Sequence, residues 1–193
     1  MELSEAINSI YQWYQEATVC YAYLADVSSN AFDRQTGATG SEFLESRWFT
    51  RGWPLQELIG ASIVIVFDRE WQEIGTKSSL QWKLSEITGI PNYILQEADL
   101  NSASVAQRIS WASRRKTTRI EDRAYCLMGL FGVNMPMLYG EGNKAFIRLQ
   151  EEILKISDDY SLFAWDMWNS QGGLLAPSPY GFLDSSKIIP LDF

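Results

Sequence analysis

The sequence predicts an α/β fold: a small, mostly parallel sheet followed by a mainly helical region. Three observations carry that prediction. Two short runs, "TVCYAYLADV" (18–27) and "SIVIVF" (62–67), are continuously apolar and rich in β-branched and aromatic residues. Segments of helical character lie before and between them, and alternating helix and strand is the grammar of an α/β sheet. From about residue 77 the chain changes to a succession of helices with readable caps.

Residues 2–16 read as an amphipathic helix, because Leu3, Ala6, Ile7, Ile10 and Tyr14 recur at helical spacing. The run 18–27 shows no polar alternation, the pattern of a strand covered on both faces. A polar Gly/Ser/Asp loop (28–41) and a short helix around 42–48, capped by Ser41, come next. Pro54 suits the first turn of another helix, which Gly60 closes, and 62–67 is a second buried strand. Two parallel strands alone leave edges and faces uncovered, so a missing segment or a partner is expected to complete the layer.

Beyond it, Ser78-x-x-Gln81 opens a helix of about ten residues that Gly89 ends. Ser104-x-x-Gln107 opens "SVAQRISWASRR", and Thr118-x-x-Glu121 opens a helix with a stripe of Ile120, Ala124, Leu127, Met128 and Phe131. A fourth runs from near Glu141 to Ile156, burying Ala145, Phe146, Leu149, Ile153 and Ile156. "YSLFAW" (160–165) has the composition of a strand, and the tail after Gly172 reads as extended. The expected core includes Val19, Tyr21, Tyr23, Ile63, Ile65, Leu127, Phe131 and Phe146. One domain over 1–165 is expected, with 166–193 packing on it or trailing it.

Composition removes several function classes. The chain of 193 residues is 46% hydrophobic, enough for a sizeable core, and carries 8 Trp, 9 Tyr and 9 Phe. A net charge of −8 argues against a general nucleic-acid binder. With no histidine, neither a Ser-His-Asp triad nor a His-ligated metal can be built from this chain alone, and no metal site is expected. Cys20 and Cys126 lie apart in apolar surroundings and read as buried thiols of a cytoplasmic protein. No stretch reaches transmembrane length and no signal peptide is apparent.

Three clusters bear on chemistry. Arg108, Arg114, Arg115, Lys116 and Arg119 form a local basic group, read first as a solvated helix end and loop and second as a phosphate or partner site. "YGEGNKAF" (139–146) resembles a phosphate-binding glycine loop, yet it comes after "NMPML" rather than a strand and lacks the third glycine. It reads as a helix entry that retains anion-binding potential. Glu57, in "RGWPLQEL" (51–58), stands among Trp48, Trp53 and Leu55 just before the second strand. It is either an ordinary first-turn acid or a partly desolvated carboxylate held for a bound sugar or cation.

"ELSEAINSIYQWYQEATVCYAYLADV", "SRWFTRGWPLQELIGASIVIVFDREWQEIGTKSSL" and "SVAQRISWASRRKTTRIEDRAYCLMGLFGVNMPMLYGEGNKAFIRLQEEILKISDDYSLFAW" closely resemble the fungal heterokaryon incompatibility (HET) domain, as does the trailing "GLLAPSP". The resemblance covers nearly the whole chain. Pro54 and Gly60-Ala61 depart from it, where Thr and Ala-Pro are commoner. It implies non-self recognition signalling that ends in growth arrest or programmed cell death. The implied partners are proteins, through self-association or another incompatibility protein. HET domains usually carry a first strand and a Trp-Gly turn ahead of "ELSEAINS", so the resemblance also implies an N-terminally truncated domain.

A second resemblance is to TIR domains, through Trp53-x-x-x-Glu57-Leu58 leading into a strand. In the TIR domains that hydrolyse NAD, a glutamate at this place is catalytic. The resemblance implies that Glu57 would orient the ribose and stabilise positive charge at the anomeric carbon. Trp48, Arg51 and Trp53 would then bind the ligand, with Trp48 or Trp53 stacking on a ring. NAD would be a substrate, and no resident cofactor is implied.

Overall fold

The computed structural model describes residues 2–31, 40–97, 99–166 and 173–189. Helix α1 (Glu2–Glu16) leads into strand β1 (Cys20–Tyr23), and then come α2 (Ser41–Leu44), α3 (Arg47–Thr50) and α4 (Pro54–Gly60). Strands β2 (Val64–Phe67) and β3 (Glu73–Thr76) complete a three-stranded sheet ordered β1-β2-β3. The rest is helical: α5 (Gln81–Thr88), α6 (Asn92–Glu97), α7 (Val105–Ser110), α8 (Asp122–Tyr125), α9 (Met128–Phe131) and α10 (Lys144–Ile156), with short 3-10 turns. The α/β class therefore holds.

The sheet departs from expectation in two ways. β1 and β2 run parallel, Cys20 opposite Val64, but β2 and β3 are antiparallel, so the pairing is evenly divided rather than mostly parallel. "EIGT" gave little sign of β3, since Ile74 is its one buried apolar side chain.

The strands are also covered on one face only. Ala22, Leu24, Val64 and Val66 are buried, whereas Tyr21 is 59% exposed, Ile63 is 49% exposed and Tyr23 is exposed too. Val19 and Ile65 are half-buried. The expected core residues of the sheet thus lie on the outward side, one residue out of register with the true core. A slip of one residue reverses every side chain of a strand. The apolar run misled because the outward face is itself aromatic: Tyr21 meets Phe67 edge-on at 5.6 Å and Tyr23 stacks on Trp71 at 4.6 Å.

The inner face carries the core. α1 lies across α4 and α9, and glycine sets the distance. A Cβ on Gly129 would stand 2.2 Å from Cβ of Tyr11, so only hydrogen fits where α9 meets α1. Leu127, Phe131 and Phe146 are buried as expected. α10 buries Ala145, Phe146, Leu149 and Ile153, but Ile156 ends the helix in solvent.

Several caps differ from expectation. Ser104 does cap α7, accepting from the Gln107 N–H at 3.1 Å, and Gly89 ends α5 in the left-handed conformation. Ser78 does not cap α5; Ser79 instead accepts from the Thr76 N–H at 2.8 Å in the turn after β3. Glu121 is not part of a capping box. Its carboxylate accepts the N–H groups of Gly140 (2.8 Å) and Gly142 (3.0 Å), which fills the glycine loop with the protein's own anion. α7 stops at Ser110, and 160–163 is a 3-10 turn rather than a strand.

The described tail packs on the body. Gln150 holds Ala176 from both sides, donating to its carbonyl (2.8 Å) and accepting its N–H (2.9 Å). Ser104 donates to the Ile188 carbonyl at 2.5 Å. Among the described residues no helix is long and apolar enough to cross a membrane.

Candidate functional site

The carboxyl end of β1 is where a ligand of an open α/β sheet would sit. Asp26, just beyond that end, anchors the start of α3. Its carboxylate accepts from Ser46 Oγ (2.8 Å) and the Arg47 N–H (2.8 Å), with Arg47 Nε at 3.4 Å. These donors hold its carboxyl below the usual range despite the opposing effect of burial. Ser46 in turn accepts the Trp48 N–H, which completes the cap. α3 thereby presents Trp48, packed edge-on against Phe49.

The next turn is pinned from the far side of the chain. Arg51 bridges Lys116: Gly52 N–H donates to the Lys116 carbonyl (3.0 Å) and Lys116 N–H to the Thr50 carbonyl (2.6 Å). Arg115 Nη1 donates to the Arg51 carbonyl at 2.9 Å. Gly52 is required by close approach, since a Cβ there would lie 2.6 Å from Thr117 Cγ2. Pro54 then starts α4 immediately after Trp53.

The result is a cavity of about 710 Å³ lined by Trp48, Arg51 and Trp53, with Asp26, Lys116 and Asp122 also on its wall. Asp122 is engaged by the Tyr139 hydroxyl at 3.0 Å and Asp26 by α3. The side chains of Arg51 and Lys116 make no ion pair among the described residues. Two indoles and two unpaired cations suit a ligand with a flat ring and a negative charge.

Glu57 is placed elsewhere. It does not line this cavity; α4 turns it toward α1, where it is hydrogen-bonded to Tyr14 and acts electrostatically on Cys20. Burial is the largest influence and raises its carboxyl, opposed by Tyr14, Arg51 and Arg115. The same surroundings push the Cys20 thiol up to about 11. The three predicted ligand-binding residues are therefore brought together, and the predicted catalytic one lies behind them.

Sequence reasoning missed Asp26 and Lys116. An acid at the end of an apolar run was the available signal for Asp26. Lys116 was visible only as one member of a basic cluster. Lys77 was missed too: its Nζ, 4% exposed with the rest of the residue, donates to carbonyls of Leu58, Ile59 and Ala61 at the end of α4. Among the described residues no cluster of three or more His, Cys, Asp or Glu side chains is placed to hold a metal ion.

Comparison with known proteins adds identity to this geometry. Residues 144–181, from α10 into the tail, match a family described as a domain of unknown function, DUF8212. No solved structure matches. The chain is similar to the vegetative incompatibility protein HET-E-1 of Podospora anserina, with 46% identity over 156 residues. That alignment takes in 80% of this chain and 12% of the relative. The chain is thus related, over most of its length, to a short part of a fungal heterokaryon incompatibility protein.

Proposed function

We propose that this chain is a signalling domain of fungal non-self recognition, a HET domain whose association with a second copy triggers programmed cell death. The observation that carries the reading is the 46% identity to an incompatibility protein over four-fifths of the chain. The sheet supplies a surface for association. β1 stands at the edge of the sheet, and the outward face presents Tyr21, Tyr23, Ile63 and Trp71 to solvent. An unpaired edge beside an aromatic face is a template for another strand. Trp71 supports this further, since it sits at φ 57°, a conformation unfavourable for a bulky side chain, in order to stack on Tyr23.

The test is expression in a filamentous fungus of the chain fused to a chemically inducible dimeriser. Inducer should arrest growth, and Tyr21→Lys with Ile63→Lys, two exposed positions, should weaken the arrest and self-association in sedimentation. Full accumulation with unimpaired growth after dimerisation refutes the proposal.

One observation favours a second reading, NAD cleavage in the manner of some TIR domains. Glu57 is half-buried, desolvation raises its carboxyl, and it lies within electrostatic reach of Arg51 on the cavity wall. Nicotinamide release from NAD that is abolished by Glu57→Gln supports it, and no release by the associated protein rejects it.

A further inference from the structure

Three members of the basic cluster, Arg114, Arg115 and Lys116, border a second cleft, which meets the tryptophan cavity at Lys116. Behind α7 the chain turns at residues 111–116 and is met by α8 and by the tail. A cleft of about 560 Å³ opens there, lined by Arg114, Arg115, Lys116 and Arg123 together with Ser178 and Tyr180 from the tail. Among the described residues no carboxylate lines it. That is the opposite of what composition supplies, since acids outnumber bases 24 to 16 in the chain.

None of the four cations makes an ion pair among the described residues. Arg115 is 8% exposed and is held by two carbonyls, Nε to Trp111 (3.1 Å) and Nη1 to Arg51 (2.9 Å). Its Nη2 is buried without a partner. Burial holds its guanidinium at about 10, partly offset by the Cys126 thiol and the Glu57 carboxylate. Like charges gathered round one cleft repel one another, and a multivalent anion removes that cost.

We propose that this cleft binds a compact ligand carrying two or more phosphate groups. Guanidinium groups match phosphate oxygens two at a time, and Lys116 adds a point charge. Ser178 supplies a hydroxyl, and the volume is that of an ordinary small-molecule site. Because Ser178 and Tyr180 belong to the tail, an occupant ties the tail to α8 and the turn after α7. The proposal does not depend on the incompatibility reading.

Calorimetric titration of the 193-residue chain at low salt tests it, with inorganic pyrophosphate, ATP and inorganic phosphate as probes. Pyrophosphate and ATP should bind more tightly than phosphate. Arg114→Gln with Arg123→Gln should weaken them at least about tenfold, and Arg69→Gln, an exposed cation elsewhere, should not. The single variant Arg114→Gln, at an exposed position, gives a smaller loss and serves if the double variant melts early. Vesicles holding phosphatidylinositol bisphosphate, compared with phosphatidylserine vesicles, identify the source. Binding to the first alone, displaced by pyrophosphate, assigns the phosphates to a lipid headgroup; binding of the soluble probes alone assigns them to a free ligand. Three results overturn the proposal: no binding of pyrophosphate, ATP or bisphosphate vesicles; binding unchanged in the double variant; or equal binding to both kinds of vesicle.

Discussion

Replacing Lys77 by methionine tests how the sheet and α4 are joined. The ammonium donates to three carbonyls at the end of α4: Leu58 (3.0 Å), Ile59 (3.4 Å) and Ala61 (2.6 Å). A cation at a helix C-terminus complements the helix dipole, and here it also occupies carbonyls that lack helical partners. Burial opposes it, holding the group down at about 8 against an ordinary 10.5, with the Cys20 thiol giving a smaller contrary push. That difference corresponds to roughly 3 kcal/mol against the charged form. Each charge-assisted bond contributes about 1.5–3 kcal/mol, and carbonyls left without a donor add a further cost. Lys77→Met should therefore destabilise by about 2–5 kcal/mol at pH 7, lowering the melting temperature by roughly 4–20 °C.

The sign of the pH dependence is set by the depressed pKa. The unfolded lysine binds its proton more tightly than the folded one, so this group makes the native state more stable as pH rises from about 8 to 10.5. The free-energy gap between wild type and Lys77→Met, from urea unfolding, should widen by roughly 2–3 kcal/mol between pH 7 and 10. Taking the difference cancels the Cys126 thiol, which titrates alike in both proteins, and a Cys20→Ser background removes the thiol that is coupled to Lys77. An unchanged melting temperature, or a gap that stays flat or narrows with pH, would refute this account.

Gly129→Ala should cost about 3 kcal/mol or more in urea unfolding, because the added methyl meets Tyr11 Cβ at 2.2 Å on an adjoining helix. Gln150→Leu removes both hydrogen bonds to Ala176, so a loss of about 2–3 kcal/mol and faster chymotryptic cleavage of the tail are expected. Burial raises the Cys126 thiol to about 12 and the Cys20 thiol to about 11. Iodoacetamide at pH 8 should label neither within minutes in the native protein and both in denaturant, read by mass spectrometry.

Much of the outline was legible because its signals are local. Leu3 to Tyr14 marked α1, Pro54 and Gly60 bracketed α4, and Ser104 capped α7. Trp48, Arg51 and Trp53, close in sequence, do share one cavity. Other readings failed where two local rules competed. Thr118-x-x-Glu121 has the form of a capping box, yet the Glu121 carboxylate accepts from glycines nineteen and twenty-one positions away. The left-handed Gly140 and Gly142 turn their N–H groups together and offer that carboxylate a better site than the helix start.

The sequence by itself determined the α/β class, the run of helices after the sheet and the relation to incompatibility proteins. These depend on periodicity, caps and long matching strings, all read along the chain. Only the tertiary structure decided which side of β1 and β2 is the core, because an aromatic outer face and an apolar inner face look alike in one dimension. It likewise decided that Glu57 stands against Tyr14 rather than in the cavity, and that Arg114, Arg115, Lys116 and Arg123 surround one cleft. Burial and charge pairing are properties of neighbours in space, and those neighbours come from segments far apart in the chain.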